Sequence, residues 1–287
     1  MSGGKQAIGA IDIAPIVDGE ICRPFELIYP MDDLSPLTPE VRAQYGPTWD
    51  HLDGSVVLTM GGYLVRTGDR IVLFDVGIGQ WPKTPPMAGG SLRSHLLAEG
   101  VHPEDVTDVV YTHLHFDHIG WSTRGGEVFF PNAEYHCDAR DWEYFLSESY
   151  DAAWEAEYTN PETDDARVRL APIRERIRFW EVGAELLPGV TVLDASGHTP
   201  GSCVFRLDSD GERGYLLGDI VHTIPELTHV LRHRSHVDPK RAVARVREFR
   251  DLVAAEGALC SGSHFPGLTW GRLELDANSG SCRWHYV

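Results

Sequence analysis

The stretch Thr112-His113-Leu114-His115-Phe116-Asp117-His118-Ile119-Gly120 directly follows an apolar run at 106–111. The run is rich in valine and predicts a buried strand. The stretch places three imidazoles and a carboxylate within six positions, and a loop at a strand end can turn all four toward one point. This density of nitrogen and oxygen donors is typical of a metal site. A chance His-x-His on a solvated loop is the alternative, and the added aspartate, the third histidine and the strand context count against it.

Four further motifs accompany apolar runs elsewhere in the chain. They are Phe74-Asp75-Val76-Gly77, Gly197-His198-Thr199-Pro200-Gly201, Leu217-Gly218-Asp219 and Ser263-His264-Phe265-Pro266. With the first stretch, they resemble the metallo-β-lactamase superfamily, whose first motif has the form His-x-His-x-Asp-His. The resemblance covers roughly residues 55 to 270. Each later motif is weak evidence alone, whereas the complete series in order is strong evidence.

The resemblance implies an αββα sandwich, in which two mixed β-sheets face each other and helices flank them. Periodicity alone predicts only alternating strands and helices, including strands at Val56–Leu58 and Tyr63–Val65 and a helix between Asp238 and Gly257. Residues 138–178 are predicted to form a helical insertion. No linker or repeat divides the chain, so we expect a single domain over residues 1–287.

The insertion is predicted from aromatic residues set among many acids, with a second helical stretch from Pro161 to about Arg178. Near-helical spacing of aromatic side chains is more often typical of core packing than of a pocket wall. We therefore expect most of this cluster in the core; its members are Trp142, Tyr144, Phe145 and Trp154.

Carried over residue by residue, the resemblance implies sites for two metal ions. One ion is expected at His113, His115 and His198, and the other at Asp117, His118 and His264, with Asp219 bridging the two. Imidazoles and carboxylates suit borderline divalent ions, so zinc is expected, with iron, manganese or cobalt as alternatives. No residues for an organic cofactor are predicted.

Two cations that share a water molecule would lower its pKa toward neutrality and supply a hydroxide at physiological pH. A bridging hydroxide that attacks a carbonyl opens an ester or a lactone, and the metals stabilise the oxyanion. We therefore predict a lactone or carboxylic ester hydrolase of the EC 3.1 class. The residues expected to take part in catalysis are Asp117, Asp219 and His222.

This sequence differs from several branches of the superfamily, and these differences reduce the number of activities that the resemblance allows. The β-lactamases lack the bridging aspartate that Asp219 represents, and glyoxalase II proteins carry a basic helical region after the last histidine, where this chain has only Arg272 and Arg283 as arginines or lysines. Nucleases need a basic surface, and diiron flavoproteins need a flavodoxin module that this length cannot hold. What remains resembles the acyl-homoserine lactonases and the related organophosphate-degrading hydrolases.

His222, three residues after Asp219, leaves the substrate open. Quorum-quenching lactonases typically have a tyrosine there, whereas the string Gly218-Asp219-Ile220-Val221-His222 is similar to the phosphotriesterase-like branch. A histidine can also donate a hydrogen bond to an oxyanion, or it can be a bystander. The alternatives to a lactonase are therefore a phosphotriesterase-like hydrolase and, less favoured, a thioester hydrolase or a non-catalytic metal-binding protein.

The amino-acid composition and net charge limit the classes of partner that the protein is expected to bind. The chain has 287 residues, 42% of them hydrophobic, and a net charge of −18, which disfavours nucleic acid and favours a neutral or hydrophobic small-molecule substrate. Five cysteines without a Cys-x-x-Cys pair, and no apolar leader or membrane span, predict a cytoplasmic protein with free thiols. A homodimer is expected only from the resemblance.

Three further features accompany the motifs. Asp75 is expected either to orient a ligand histidine or to close a turn at a strand end. Trp121, directly after the ligand stretch, is expected to form a pocket wall. The basic run Arg232-His233-Arg234-Ser235-His236 is typical of a solvated face, although it could hold an anionic product.

Overall fold

A computed structural model describes residues 4–30, 37–48, 54–80, 87–150, 159–160 and 162–287. The strands in chain order are β1 (Gln6–Ile8), β2 (Ile11–Arg23), β3 (Val56–Thr67), β4 (Arg70–Phe74), β5 (Met87–Ala88), β6 (Asp108–Val110), β7 (Thr123–Arg124), β8 (Glu127–Val128), β9 (Glu134–Cys137), β10 (Ile177–Phe179), β11 (Glu185–Leu187), β12 (Val190–Asp194), β13 (Cys203–Ser209), β14 (Glu212–Leu216), β15 (Leu259–Ser261), β16 (Gly271–Leu275) and β17 (Cys282–Tyr286).

The α-helices are α1 (Phe25–Ile28), α2 (Pro39–Ala43), α3 (Leu92–Ala98), α4 (Ala139–Leu146), α5 (Ala166–Leu170), α6 (Ile224–His229) and α7 (Pro239–Glu256). α7 begins and ends where the sequence predicts. The Asp238 side chain accepts a hydrogen bond from the Arg241 backbone N–H, and Gly257 ends the helix in the left-handed region with φ of 58°.

Most strands belong to two mixed sheets. Within the described ranges the first sheet has the order β1-β2-β3-β4-β6-β9-β10, with β5 added beside β2, and the second has the order β11-β12-β13-β14-β15-β16-β17. The pairs β4–β6, β6–β9 and β9–β10 are parallel in the first sheet, and β14–β15 is parallel in the second. Both sheets are therefore mixed, as expected.

The two sheets face each other across an apolar layer. Phe74 of the first sheet and Phe205 of the second meet with ring centroids 4.9 Å apart, within a buried cluster drawn from both sheets. On the outer faces, Leu92 and Leu96 of α3 pack on the first sheet, and α7 packs on the second through side chains that include Phe249. Burial of these apolar faces produces the expected αββα layering.

Two sequence expectations about individual elements are corrected. Val56–Leu58 and Tyr63–Val65 are parts of one continuous strand, β3, because Gly61 and Gly62 between them stay extended and pair with β2. The segment 138–178 contains α4, α5 and a 3₁₀ helix at Ala171–Arg176, but its last residues form β10 of the first sheet. Trp154, Tyr158 and Pro161 lie outside the described residues.

Asp18 on β2 connects four segments of the first half of the fold. Its carboxylate oxygens accept hydrogen bonds from five N–H groups at 2.8 to 3.1 Å: the backbone amides of Ile78, Gly79, Gly90 and Leu92 and the indole of Trp121. These donors lie after β4, at the start of α3 and just after the ligand stretch. The Asp18 side chain therefore holds the scaffold behind the ligand stretch in place.

Gly120 allows the ligand stretch to approach the loop after β4. Its N–H donates to the Gly77 carbonyl at 2.7 Å, and a β-carbon at this position would collide with the backbone of Ile78. Only glycine fits this contact.

We expect Asp18→Ala to lower the free energy of unfolding by about 3 kcal/mol or more, because five N–H donors, four of them buried, lose their acceptor. Urea unfolding followed by circular dichroism measures the loss. Asp12→Ala is the matched control, since Asp12 is an exposed carboxylate on the same strand, and its effect should stay within about 0.5 kcal/mol. Equal losses in the two variants would contradict the role of Asp18.

Asp108 on β6 is predicted to stabilise the fold in a pH-dependent way. Burial alone would raise its pKa, but hydrogen bonds from His136 and Arg70 lower it to about 2, from an ordinary 3.8. The stabilisation should therefore be complete above about pH 4 and decrease as the pH falls toward 2.

We expect the stability difference between the wild type and Asp108→Asn to shrink over this range in urea unfolding at pH 5, 4 and 3. Asp69→Asn, in the exposed turn before β4, serves as the control. A difference that stays constant with pH would contradict the assignment.

Candidate metal centre

The expected ligand residues lie at one edge of the sandwich because they follow strands that end there. Asp75 follows β4 and residues 113–118 follow β6, which is parallel to β4. Asp219 and His264 follow the parallel pair β14 and β15, and His198 lies in the loop between β12 and β13. The Cys203 N–H donates to the Thr112 carbonyl at 3.0 Å and ties the two sheets together at this edge.

Three buried imidazoles form the first donor group. His113 Nε2 lies 2.7 Å from His115 Nδ1, and His198 Nε2 lies 2.9 Å from the same His115 atom. His113 Nε2 and His198 Nε2 are 3.2 Å apart. One nitrogen from each ring thus points to a common centre.

The second donor group consists of Asp117, His118 and His264. Asp117 Oδ2 lies 3.7 Å from His118 Nε2 and 3.5 Å from His264 Nε2. Asp219 Oδ2 lies between the two groups, 2.9 Å from His264 Nε2 and 3.4 Å from His118 Nε2. On the other side it is 3.6 Å from His198 Nε2 and 3.8 Å from His113 Nε2.

Hydrogen bonds behind the rings orient the second group. His118 Nδ1 donates to Asp75 Oδ2 at 2.8 Å, and His264 Nδ1 donates to the Thr59 carbonyl at 2.8 Å. Because these partners accept the ring proton on Nδ1, the Nε2 lone pair of each neutral ring points into the centre. Asp75, whose φ is 58°, therefore orients a proposed ligand histidine, the first of the two roles expected for it.

The inward-facing atoms fit cations. The lone pair of neutral His264 Nε2 faces the Asp219 carboxylate at 2.9 Å, and two acceptors this close need a proton or a cation between them. His118 Nε2 and Asp219 Oδ1 are buried and make no hydrogen bond. A buried group of this kind is costly unless something binds it. The donor set of imidazoles and carboxylates is the one that zinc and similar divalent ions prefer.

Burial keeps the first group in its metal-binding protonation state. It lowers the pKa of His113 and of His198 well below the usual range and that of His115 to about 3. Burial alone would also lower the pKa of His118, but the carboxylates of Asp219, Asp75 and Asp117 raise it well above normal. The same negative field favours a bound cation.

His222 lies beside the centre. Its Nε2 is 3.3 Å from Asp219 Oδ2, and its Nδ1 is 3.3 Å from Glu226 Oε2. Burial alone would lower the pKa of His222, but Glu226 and Asp219 raise it to about 10. The structure thus brings His222 together with the seven expected ligands.

Sequence reasoning missed a buried polar group behind His222 that consists of Tyr29, Glu226, His233 and His236. The basic run was expected to be a solvated face, but His233 and His236 are buried, whereas Arg232 and Arg234 are exposed. The residue types in the run were a usable signal, since the two histidines are buried and the two arginines are exposed. The spacing of four residues between His222 and Glu226 was another.

A cavity of about 490 Å³ opens above the donor groups. Its lining includes Asp117, Asp219 and His222 at one end and apolar side chains that include Leu58 and Met60 along its walls. Its lining also includes Arg23 and the exposed residues Leu27, Arg234 and Val237.

The pocket wall differs from the sequence expectation. Trp121 is buried in the core, where its indole N–H bonds to Asp18, so its assignment to the wall was wrong. Its side chain points away from the cavity because the chain turns back on the scaffold at Gly120. In the predicted aromatic cluster, Tyr144 lines the cavity, whereas Phe145 is buried core and contacts the His115 ring. Trp154 lies outside the described residues.

None of the helices in the described ranges combines the length and the apolar character that a bilayer span needs.

Comparison with known proteins agrees with the fold and the motifs. The family model of the metallo-beta-lactamase superfamily matches residues 62–256. Among curated proteins, the N-acyl homoserine lactonase AiiB of Agrobacterium fabrum is 28% identical over 179 residues, which cover 56% of this chain and 62% of AiiB. The match therefore spans less than two thirds of that relative.

Two solved structures share the architecture over nearly the whole chain. The hydrolase AbOPH, described as a member of the beta lactamase superfamily, has a TM-score of 0.84 and 24% identity, and the match covers 100% of this chain and 98% of AbOPH. AidC, described as a dizinc quorum-quenching lactonase, has a TM-score of 0.78 and 22% identity over 99% of this chain and 97% of AidC. At these identities the likeness shows the fold alone. Since the family model covers more than half of the chain, this protein belongs to the metallo-β-lactamase superfamily.

Proposed function

We propose that this chain is a hydrolase that binds two divalent metal ions and opens a lactone or carboxylic ester. The observation that carries the proposal is the position of Asp219 Oδ2, which faces both donor groups at distances of 2.9 to 3.8 Å beside a largely apolar cavity. One ion would be held by His113, His115 and His198, the other by Asp117, His118 and His264, with Asp219 shared. The similarity to a homoserine lactonase supports the same activity.

Divalent ions bound there would activate water and polarise the scissile carbonyl. Side chains of the protein would stabilise the oxyanion and transfer the proton. His222 lines the cavity with Nε2 beside Asp219, a position from which an N–H would donate to the substrate oxygen as negative charge develops. Asp219, or a bound water, can take up the proton that the attacking water loses and return it to the leaving alkoxide, and Asp117 is partly exposed in the cavity beside it.

The cavity walls favour a substrate with an uncharged apolar group. Leu58, Met60 and Met87 line it together with Ile21 and Phe116, and a volume of about 490 Å³ accommodates a drug-sized molecule. An acyl chain placed against these side chains would gain about 0.8 kcal/mol per buried methylene group. A neutral lactone with a medium or long acyl chain fits both the walls and the donor groups.

The domain organisation and the cellular location of the enzyme are also part of the proposal. We propose that residues 1–287 act as one domain, since β1, β16 and β17 lie outside the matched range yet complete the two sheets. The cysteines make no disulfide within the described residues, in keeping with a cytoplasmic location.

Removal of the metals should abolish hydrolysis, and Asp219→Ala should lower bound metal and kcat/KM together, the latter on the order of 100-fold or more, because both donor groups lose a shared ligand. Plasma mass spectrometry and initial rates measure the two quantities. Asp208→Ala, which removes a carboxylate paired with Arg206 and Arg213 on the outer surface, should change neither. Full activity in a chelated sample, or an unchanged rate in Asp219→Ala, would defeat the metal assignment.

The substrate is tested with one zinc-loaded preparation assayed on an acyl-homoserine lactone, a dialkyl aryl phosphotriester and an acyl thioester. We expect kcat/KM of about 10⁴ M⁻¹s⁻¹ or more for the lactone, rising from a butanoyl to an octanoyl chain, and much lower values for the other two. A higher kcat/KM for the phosphotriester would reject the lactonase assignment and would favour a phosphotriesterase-like hydrolase. A rate that is independent of chain length would reject the apolar wall as the acyl site.

A further inference from the structure

Glu226 on α6 is completely buried behind His222. Its Oε2 accepts hydrogen bonds from the Tyr29 hydroxyl at 3.1 Å and from the His222 backbone N–H at 2.8 Å, and lies 3.3 Å from His222 Nδ1. Glu226 does not line the cavity. A buried carboxylate costs free energy unless polar groups bind it, and two of these three contacts are made by His222, one by its ring and one by its backbone.

The ring of His222 is restrained on its faces as well as its edge. His233 stacks on the ring with centroids 3.5 Å apart and planes 11° apart, and the His264 ring is also parallel to it, at 5.5 Å and 4°. Stacking fixes the plane of the ring but still permits the ring to flip over about the Cβ–Cγ bond, which exchanges the positions of its nitrogen and carbon atoms. The contact between Nδ1 and Glu226 is what directs Nε2 to Asp219.

Glu226 also reaches the first donor group through one more imidazole. Its Oε1 is 3.5 Å from His236 Nε2, and His236 Nδ1 is 3.2 Å from His198 Nδ1. His198 is the proposed ligand contributed by the loop between β12 and β13. A single carboxylate therefore lies behind two imidazoles, those of His222 and His198, that both face Asp219 Oδ2.

We propose that Glu226 is a positioning residue, which holds His222 with Nε2 toward the reacting centre and supports His198 through His236. This inference rests on the proposed function and adds to it a residue remote from the substrate. Carboxylates and carbonyls behind the imidazoles of a metal site fix ring orientation, and their loss typically costs 10- to 100-fold in metal affinity or activity.

The test is a double-mutant cycle between Glu226 and His222. Glu226→Ala should lower kcat about 10- to 100-fold with little change in KM, because Glu226 does not touch the cavity. With zinc at saturating concentration, the same substitution should cost much less kcat in a His222→Ala background, since His222 is the residue through which Glu226 acts on the reacting centre. Losses that multiply in the double variant would overturn the proposal.

Two further variants separate positioning from folding. Glu226→Gln keeps the volume and one acceptor oxygen, so it should fold like the wild type and recover part of the lost kcat. Glu256→Gln is the matched control, because Glu256 also accepts a tyrosine hydroxyl, from Tyr215, and pairs with Arg213 far from the centre; it should leave kcat unchanged. A Glu226→Gln variant as slow as Glu226→Ala would argue for a merely structural role and against the proposal.

Two readouts do not depend on any substrate. In imidazole nitrogen NMR spectra of the zinc-loaded protein, Glu226→Ala should shift the His222 resonances, assigned by their loss in His222→Ala, whereas Glu256→Gln should not. Competition with a chelator should show 10-fold or greater loss of zinc affinity in Glu226→Ala. Unchanged spectra and affinity would overturn the proposal even if the enzyme hydrolyses lactones. Changed spectra and weaker zinc binding would support it even if lactones are not the substrate.

Discussion

A single carboxylate oxygen, Asp219 Oδ2, faces imidazole nitrogens on several sides in a buried position. The five nitrogens belong to His264, His222, His118, His198 and His113, at 2.9, 3.3, 3.4, 3.6 and 3.8 Å. Neutral imidazoles that aim lone pairs at a carboxylate repel it, and charged ones would repel each other. Divalent cations bound there would resolve both conflicts, and the surrounding structure keeps this otherwise unfavourable arrangement in place.

Rigid elements of the fold hold the imidazoles around the Asp219 carboxylate. The parallel pairs β4–β6 and β14–β15 end at one edge of the sandwich, so short loops can present ligands from both sheets without long, mobile connections. Asp18 and Gly120 hold the scaffold of the longest ligand loop. Behind the rings, Asp75 and the Thr59 carbonyl hold protons that would otherwise compete with a metal.

The environment of the centre is divided between polar and apolar sides. Behind it, Tyr29, Glu226, His233 and His236 form a buried polar group that no bulk water screens, so each contact is stronger than it would be at the surface. In front of it, the cavity is walled largely by apolar side chains. An overall net charge of −18 therefore says little about the substrate, since the charges that matter to it are those of the centre itself.

The sequence by itself determined the types and the order of the candidate ligand residues, because these depend on local signals, whereas the αββα layering followed from the resemblance that these motifs carry. An apolar strand followed directly by histidine or aspartate places that side chain at a strand end, and Asp238 and Gly257 delimit α7 through contacts within a few residues. Only the tertiary structure decided the place of Trp121, the continuity of β3, the cavity walls and the role of the polar group behind His222. Tyr29 and Glu226, for example, meet across 197 positions of chain. Such contacts depend on how two sheets and their covering segments pack, and a periodic pattern in one segment carries no information about its distant partner.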